Sequence, residues 1–203
     1  MKRAKALSAL LFITEKRDGR IKARKCAVGS KQRTYEGYEK SNGTAPTVTT
    51  DAVLITGVIE AHEERDTATC DIPGAFLHAD NDETVLMLLR GKLAKLLVKV
   101  DPKLYRKYVI TSSKGIPMLY VKLSKALYGM LRSALLFYKK LASELVEMGF
   151  EINPYDPCVA NKTINGCQMT ICWHVDDLKV SHKDSAIVTA FLLKLADIYG
   201  DKM

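Results

Sequence analysis

A chain of 203 residues has room for one sizeable domain or two small ones, and 47% hydrophobic with 27% charged residues is the balance of a globular protein, not a disordered one. Its longest apolar runs, such as ALLF and VLMLL, are far too short to span a bilayer, and five scattered cysteines point to a reducing compartment without a disulfide framework. The net charge of +8 comes in blocks, +8 over residues 1–40, −8 over 41–89, +12 over 90–140 and −4 over 141–203, and some fifty residues almost without acids argue for contact with a polyanion.

The chain opens on a basic end and a short apolar run, superficially like a secretory leader. No small-residue cleavage site precedes the charged TEKRDGR, so a strand-bearing start of the domain is expected. A β-hairpin follows, with LFIT before and IKARKCAV after the Asp18-Gly19 turn signal. EGYEKSNGTAPTV, residues 36–48, is loop-like. Val53, Leu54, Val58 and Ala61 fall at helical spacing in a helix expected over 51–64, with an acid as its N-cap. DTATCDI is short and β-prone and ends at Pro73-Gly74, which puts Asp71 near the end of a strand. A further strand is expected from Met118 to Leu123.

The clearest helix is ALLFYKKLASELVEMG, where Phe137, Leu141, Leu145 and Met148 share one face and Gly149 ends the run. DPCVANK, the Asn165-Gly166 turn and CQMTICWHV predict successive strands, and LKVSH returns as another across a turn at Val175-Asp176-Asp177. SAIVTAFLLKLADIYG closes the chain as a helix capped by Asp184 or Ser185 and ended by Gly200. This order of elements predicts an α+β fold with a central antiparallel sheet packed on helices.

The stretch ICWHVDDLKV sets two neighbouring carboxylates, Asp176 and Asp177, at a hairpin tip between apolar strands. Two such groups within about 4 Å repel by about 4 kcal/mol at an effective dielectric near 20, so one is protonated or a cation sits between them. Mg²⁺ suits that arrangement, being a hard cation commonly held by one or two carboxylates plus substrate phosphates. An ordinary hydrophilic turn is the bland alternative. Asp71, at the end of TATCDIPGAF, is a third strand-ending acid. Three such carboxylates are the minimum set for holding two Mg²⁺ ions in line with a phosphoryl group.

Other chemistry finds less support. Cys167, Cys172, His174 and His182 match no zinc-finger or knuckle spacing, and there is no G-x-S-x-G, Walker loop or G-x-G-x-x-G. A metal-dependent phosphodiesterase on the same acids lacks a nucleophile-orienting His near them in sequence. His62 reads as a surface or cap residue. Lys139-Lys140 beside Tyr138 is either a nucleic-acid contact or the wet face of a core helix.

The blocks CDIPGAFLHAD, VKLSKALYGMLRSALLFYKKL, INPYDPCVANK and CWHVDDLKVSH, with KRDGRIKARKCAVGSKQ ahead of them, resemble copia-type LTR-retrotransposon reverse transcriptases in order and spacing, over roughly residues 11–199. The resemblance implies a fingers/palm fold, with fingers over about 11–50 and 77–130 and palm over about 51–76 and 131–199. Thumb and RNase H would be absent from this piece, as would integrase before residue 11. It implies RNA-directed DNA polymerase activity on an RNA or DNA template with primer and dNTPs, with two Mg²⁺ ions, for which Mn²⁺ can substitute.

Asp71, Asp176 and Asp177 would bind the metals, with the backbone carbonyl of Ile72 as a further ligand. Phe76 would be the steric gate under the sugar. Lys22, Arg24 and Lys25 are candidates for the triphosphate, and Tyr128, Gly129 and Arg132 would lie close to the incoming base. His174, Val175, Lys139 and Lys140 would face the primer-template. His174 replaces the usual Tyr of Y-V-D-D, and Arg132 stands where L-Y-G-x-x-Q has Gln. The family's partners would be the rest of a Pol polyprotein, integrase and RNase H, in a cytoplasmic virus-like particle or the nucleus, with no membrane. The alternative implied by the missing thumb is a truncated or co-opted relic that binds nucleic acid without catalysis.

Overall fold

A computed structural model describes residues 3–35, 39 and 43–200 of the chain. In chain order the elements are β1 (Leu7–Glu15), β2 (Ile21–Ala27), α1 (Thr50–His62), β3 (Asp66–Asp71), β4 (Asp80–Arg90), α2 (Lys92–Val100), α3 (Pro102–Tyr105) and β5 (Ile110–Thr111). They continue with β6 (Pro117–Lys125), α4 (Ser133–Glu147), β7 (Glu151–Ile152), β8 (Val159–Ile164), β9 (Cys167–His174), β10 (Asp177–His182) and α5 (Ser185–Tyr199). The loop expected over 36–48 lies partly outside the described residues. None of the helices among the described residues is long and apolar enough to cross a membrane.

The fold is mixed α+β, as expected, but it is built on two five-stranded sheets rather than one, each in its own compact unit. The first unit comprises residues 1–43 and 80–133, and its strand order is β2-β1-β4-β6-β5. Its sheet is not purely antiparallel: β1 runs parallel to β4, with Leu7 opposite Met87 and Ser8 opposite Leu88. The strand β4 forms no part of the sequence reading, and it is central. Val85, Met87 and Leu89 enter a core with Leu7, Leu119 and Leu127, while Leu88 is buried as well. A strand covered on both faces has no period-2 alternation to give it away.

The second unit comprises residues 44–79 and 134–203, and its sheet runs β3-β10-β9-β8-β7, antiparallel throughout. Trp173 and Ile171 of β9 lie opposite Leu178 and Val180 of β10, so all four share one face, and all four are buried. Tyr138 of α4 stacks on Trp173 with ring centroids 6.3 Å apart. On the other face, Lys179 reaches Thr56 and Glu60 of α1, both at 2.9 Å. The sheet thus has helices on both sides, which leaves its strand ends as the places where polar groups stay accessible.

Two local expectations need correction. The N-cap of α1 is Thr49, whose hydroxyl accepts from Ala52 N, and not Asp51, which lies in the first turn. Thr49 is chosen from outside the helix, because its N–H and its hydroxyl both donate to the buried Asp156 carboxylate, at 2.8 and 2.9 Å. The turn after β9 comprises only Val175 and Asp176, since Asp177 opens β10 as the partner of both His174 and Asp71. The cap of α5 at Asp184 and its stop at Gly200 are as expected.

Candidate active site

The sheet of the second unit brings Asp71 and Asp177 together. They are directly opposed on β3 and β10. The next pair outward is tied by Ile72 N–H donating to Asp176 O at 2.9 Å. Hydrogen-bonded and non-hydrogen-bonded pairs alternate along antiparallel strands, so Asp71 and Asp177 form a non-hydrogen-bonded pair, the kind whose side chains stand closer. Both are exposed at the sheet end. The neighbouring Cys70 registers their field: its thiol pKa is raised, first by burial and then by the charges of Asp71 and Asp177.

The hairpin tip is strained. Val175 has φ of 59°, a left-handed conformation that costs a β-branched residue about 1–3 kcal/mol and that concentrates at functional sites. A positive φ at the first of two central residues is what a tight two-residue hairpin turn demands, normally of Gly. The turn holds Asp176 within one residue of the opposed pair. His174, exposed, closes the hairpin as the partner of Asp177.

A cleft of about 460 Å³ lies against this sheet end, lined by Asp71, Asp177, His174, Cys70 and Lys179 with Val53 of α1. Lys179 is committed elsewhere, to Glu60 at 2.9 Å, so it leaves the two acids unneutralised. Opposed carboxylate oxygens suit a hard divalent ion such as Mg²⁺ or Mn²⁺, and the raised pKa of the Cys70 thiol disfavours the thiolate that a soft metal would take. Asp176 follows in the turn, its carbonyl tied to Ile72 N–H, and among the described residues no three His, Cys, Asp or Glu side chains are already gathered into a metal cluster.

After Asp71 the chain turns at Gly74 (φ 65°) into a short 3-10 turn, Ala75–His78. This turn carries Phe76, whose ring meets Phe137 edge-on with centroids 6.4 Å apart. His78 Nε2 lies 3.1 Å from the Pro73 carbonyl oxygen, and its ring meets Tyr199 edge-on at 5.0 Å. His78 and Lys179 are absent from the sequence reading. The local signal for them is their place, His78 two residues after Phe76 and Lys179 two residues after Asp177.

The first unit holds the other candidates. On β2, alternation sets Lys22 and Arg24 on one face and Lys25 on the other. Arg24 sits over the Tyr128 ring at 4.9 Å from its centroid. Lys25 is half-buried and desolvation lowers its pKa, whereas Lys22 and Arg24 are exposed. Arg132 forks onto two acids of β4, Asp82 at 2.6 Å and Glu83. The DNDE run that supplies these partners is the signal that was available for them. In the second unit, Lys139 is exposed, whereas Lys140 is paired with Glu144 at 2.6 Å.

Gly129, at φ +87°, packs against the end of β2, where Ala27 N–H donates to Tyr128 O at 2.8 Å. A Cβ there would overlap the Ala27 carbonyl oxygen, and one on Gly29 would overlap the Gly129 carbonyl. Both obstacles are backbone, so neither can rotate away. Gly129→Ala is therefore expected to destabilise the first unit by about 3 kcal/mol or more. Gly115→Ala, with positive φ but open space, should cost only about 1 kcal/mol. Thermal denaturation of both variants checks this; equal losses would mean that strain alone matters.

No curated protein matches the chain. A family model described as "Reverse transcriptase (RNA-dependent DNA polymerase)" matches residues 4–202, a span that takes in both sheets and all three acids. With nearly every described residue inside that match, the chain belongs to the reverse transcriptase family.

Proposed function

We propose that the chain is the polymerase segment of a copia-type LTR-retrotransposon reverse transcriptase, adding dNTPs to a primer 3′-hydroxyl on an RNA or DNA template. The observation that carries this reading is the opposed pair Asp71–Asp177 at the end of β3 and β10, with Asp176 in the strained turn beside it. Asp71 and Asp177 offer hard oxygen ligands on one face, and the bond from Ile72 N–H to Asp176 O fixes the spacing of the two acid-bearing backbones. Mg²⁺, or Mn²⁺ in its place, would supply the charge that lowers the pKa of the primer hydroxyl and offsets charge on the leaving pyrophosphate. Phe76, held by Phe137, is suited to bear on the sugar. Lys22 and Arg24, with Tyr128, are suited to the triphosphate, and His174, Val175 and Lys139 to the primer-template.

Charge supports a nucleic-acid substrate. The first unit holds 23 Lys/Arg against 8 Asp/Glu, a net +15, and the second holds 8 against 15, a net −7. The +8 of the whole chain therefore hides one strongly basic unit, the electrostatic signature of phosphate-backbone contact. The remainder of a Pol polyprotein, integrase and RNase H, would be its natural covalent neighbours.

Primer extension on an RNA template with Mg²⁺ or Mn²⁺ tests the reading, with Asp176→Asn alongside. Incorporation by the parent chain and its loss in the variant are expected. Incorporation that survives Asp176→Asn excludes this mechanism. Salt-sensitive binding of an RNA–DNA duplex without incorporation under either metal would instead identify a binding relic of the same domain.

A further inference from the structure

A second cleft in the acidic unit has no part in the polymerase reading. It lies between α1, the Asn153–Asp156 loop and the sheet, measures about 370 Å³, and shares no lining residue with the cleft at Asp71 and Asp177. That volume is within the range of small-molecule sites. One wall is apolar, made by Ile55, Ile59 and Val159, and Ile55 is 59% exposed there.

Beside it on the sheet, two residues along β8 from Val159, lies a built polar network. The Arg65 side chain is only 2% accessible, with Nε 3.1 Å from Glu63 and Nη1 donating to Thr170 at 2.9 Å, which leaves Nη2 for the cleft. Thr170 donates to Asn161 Oδ1 at 3.0 Å, and Gln168 Nε2 donates to Asn161 Oδ1 and Thr170 Oγ1, both at 3.0 Å. Asn161 Oδ1 is thereby filled and its Nδ2 remains a donor. Gln168 uses its amide nitrogen and keeps Oε1 as an acceptor. Two linked amides that between them retain a donor and an acceptor offer the complementary groups that the hydrogen-bonding edge of a nucleobase requires.

Charge narrows the class. Arg65 is paired with Glu63, while Asp51 and Asp156 also line the cleft, so an anion would meet net negative charge. At the mouth, Tyr155 is 94% exposed and offers an uncovered ring face for stacking. From these features we infer that the cleft binds a neutral, planar heterocycle of the nucleobase type, stacked on Tyr155 and read by Asn161 and Gln168.

The test uses the full chain and does not depend on polymerase activity. Adenosine, adenosine monophosphate and indole are titrated by calorimetry or ligand-observed NMR, against the parent chain, Tyr155→Ala and Gln168→Leu. Saturable adenosine binding is expected, weakened about fivefold or more by each variant, an effect of about 1 kcal/mol. Both substitutions fall at exposed positions, so unchanged melting temperatures show that the variants are folded. Four outcomes would overturn the inference: no saturation by adenosine up to about 5 mM, equal binding of indole, tighter binding of the monophosphate, or adenosine binding indifferent to both variants.

Discussion

Asp71→Asn is expected to lower nucleotide incorporation by about 10³-fold or more while leaving the protein folded and slightly more heat-stable. The loss follows from removing one of two opposed carboxylates where charge must be held during phosphoryl transfer, a change of about 4 kcal/mol in the barrier. The stability gain follows from the same geometry. Asp71 and Asp177 face each other across β3 and β10 while the nearby Lys179 is paired with Glu60, and like charges directly opposite destabilise a sheet by a few tenths of a kcal/mol. Neutralising one of them therefore relieves the fold, raising the melting temperature by about 1–2 °C. A divalent cation should do for the parent what the mutation does for the variant: Mg²⁺ should raise the parent's melting temperature and leave that of Asp71→Asn nearly unchanged. Paired single-turnover extension and thermal scans, with and without Mg²⁺, check both halves. A variant that melts several degrees below the parent would show that Asp71 is a structural residue, and undiminished incorporation would remove it from the chemistry.

The parts of this site that could be read from the sequence are those set by local pattern. Strand-ending acids announce themselves because TATCDIPG and CWHVDD each close a β-prone run on a carboxylate, and the hairpin tip follows from the shortness of the gap between CQMTICWH and LKVSH. What could not be read is what distant residues decide. Three capping residues, Thr49, Thr50 and Asp51, compete for the start of α1, and the choice falls on Thr49 because Asp156, 107 positions away, binds its N–H and hydroxyl. The turn is shorter by one residue than the sequence suggests because Asp177 is drawn into the ladder by Asp71 of β3. Strand β4 leaves no trace of alternation because it is covered on both faces, and its parallel pairing with β1 joins segments some eighty residues apart. Arg132, placed by its motif near the incoming base, is claimed by Asp82 and Glu83, acids whose relevance only the fold of the first unit reveals.

Asp156→Ala should be the most damaging single substitution in the acidic unit away from its apolar core. The Asp156 side chain accepts three hydrogen bonds while 5% exposed: Thr49 N–H and hydroxyl on Oδ2, and Cys158 N–H at 2.9 Å on Oδ1. It thus joins the start of α1 to the start of β8. Truncation strands two backbone donors, and each buried donor left without a partner costs about 1–3 kcal/mol. A total loss of about 3–4 kcal/mol, or about 10 °C in melting temperature for a chain of this size, is expected. Asp156→Asn keeps an acceptor for the Thr49 bonds and should lose about half as much. Acid supplies an independent check. Burial by itself pushes the Asp156 carboxyl up, but the bonds from Thr49 and Cys158 outweigh it, and the folded pKa lies below the ordinary value of 3.8. A carboxyl depressed on folding contributes stability above its unfolded pKa and loses that contribution as the pH falls through the folded one. The parent should therefore lose stability below about pH 4 more steeply than Asp156→Asn, whose amide has no proton to gain, so that the two unfolding curves converge in acid. Curves that stay parallel from pH 7 to pH 3 would mean that the Asp156 charge, as distinct from its shape, contributes nothing to pinning α1.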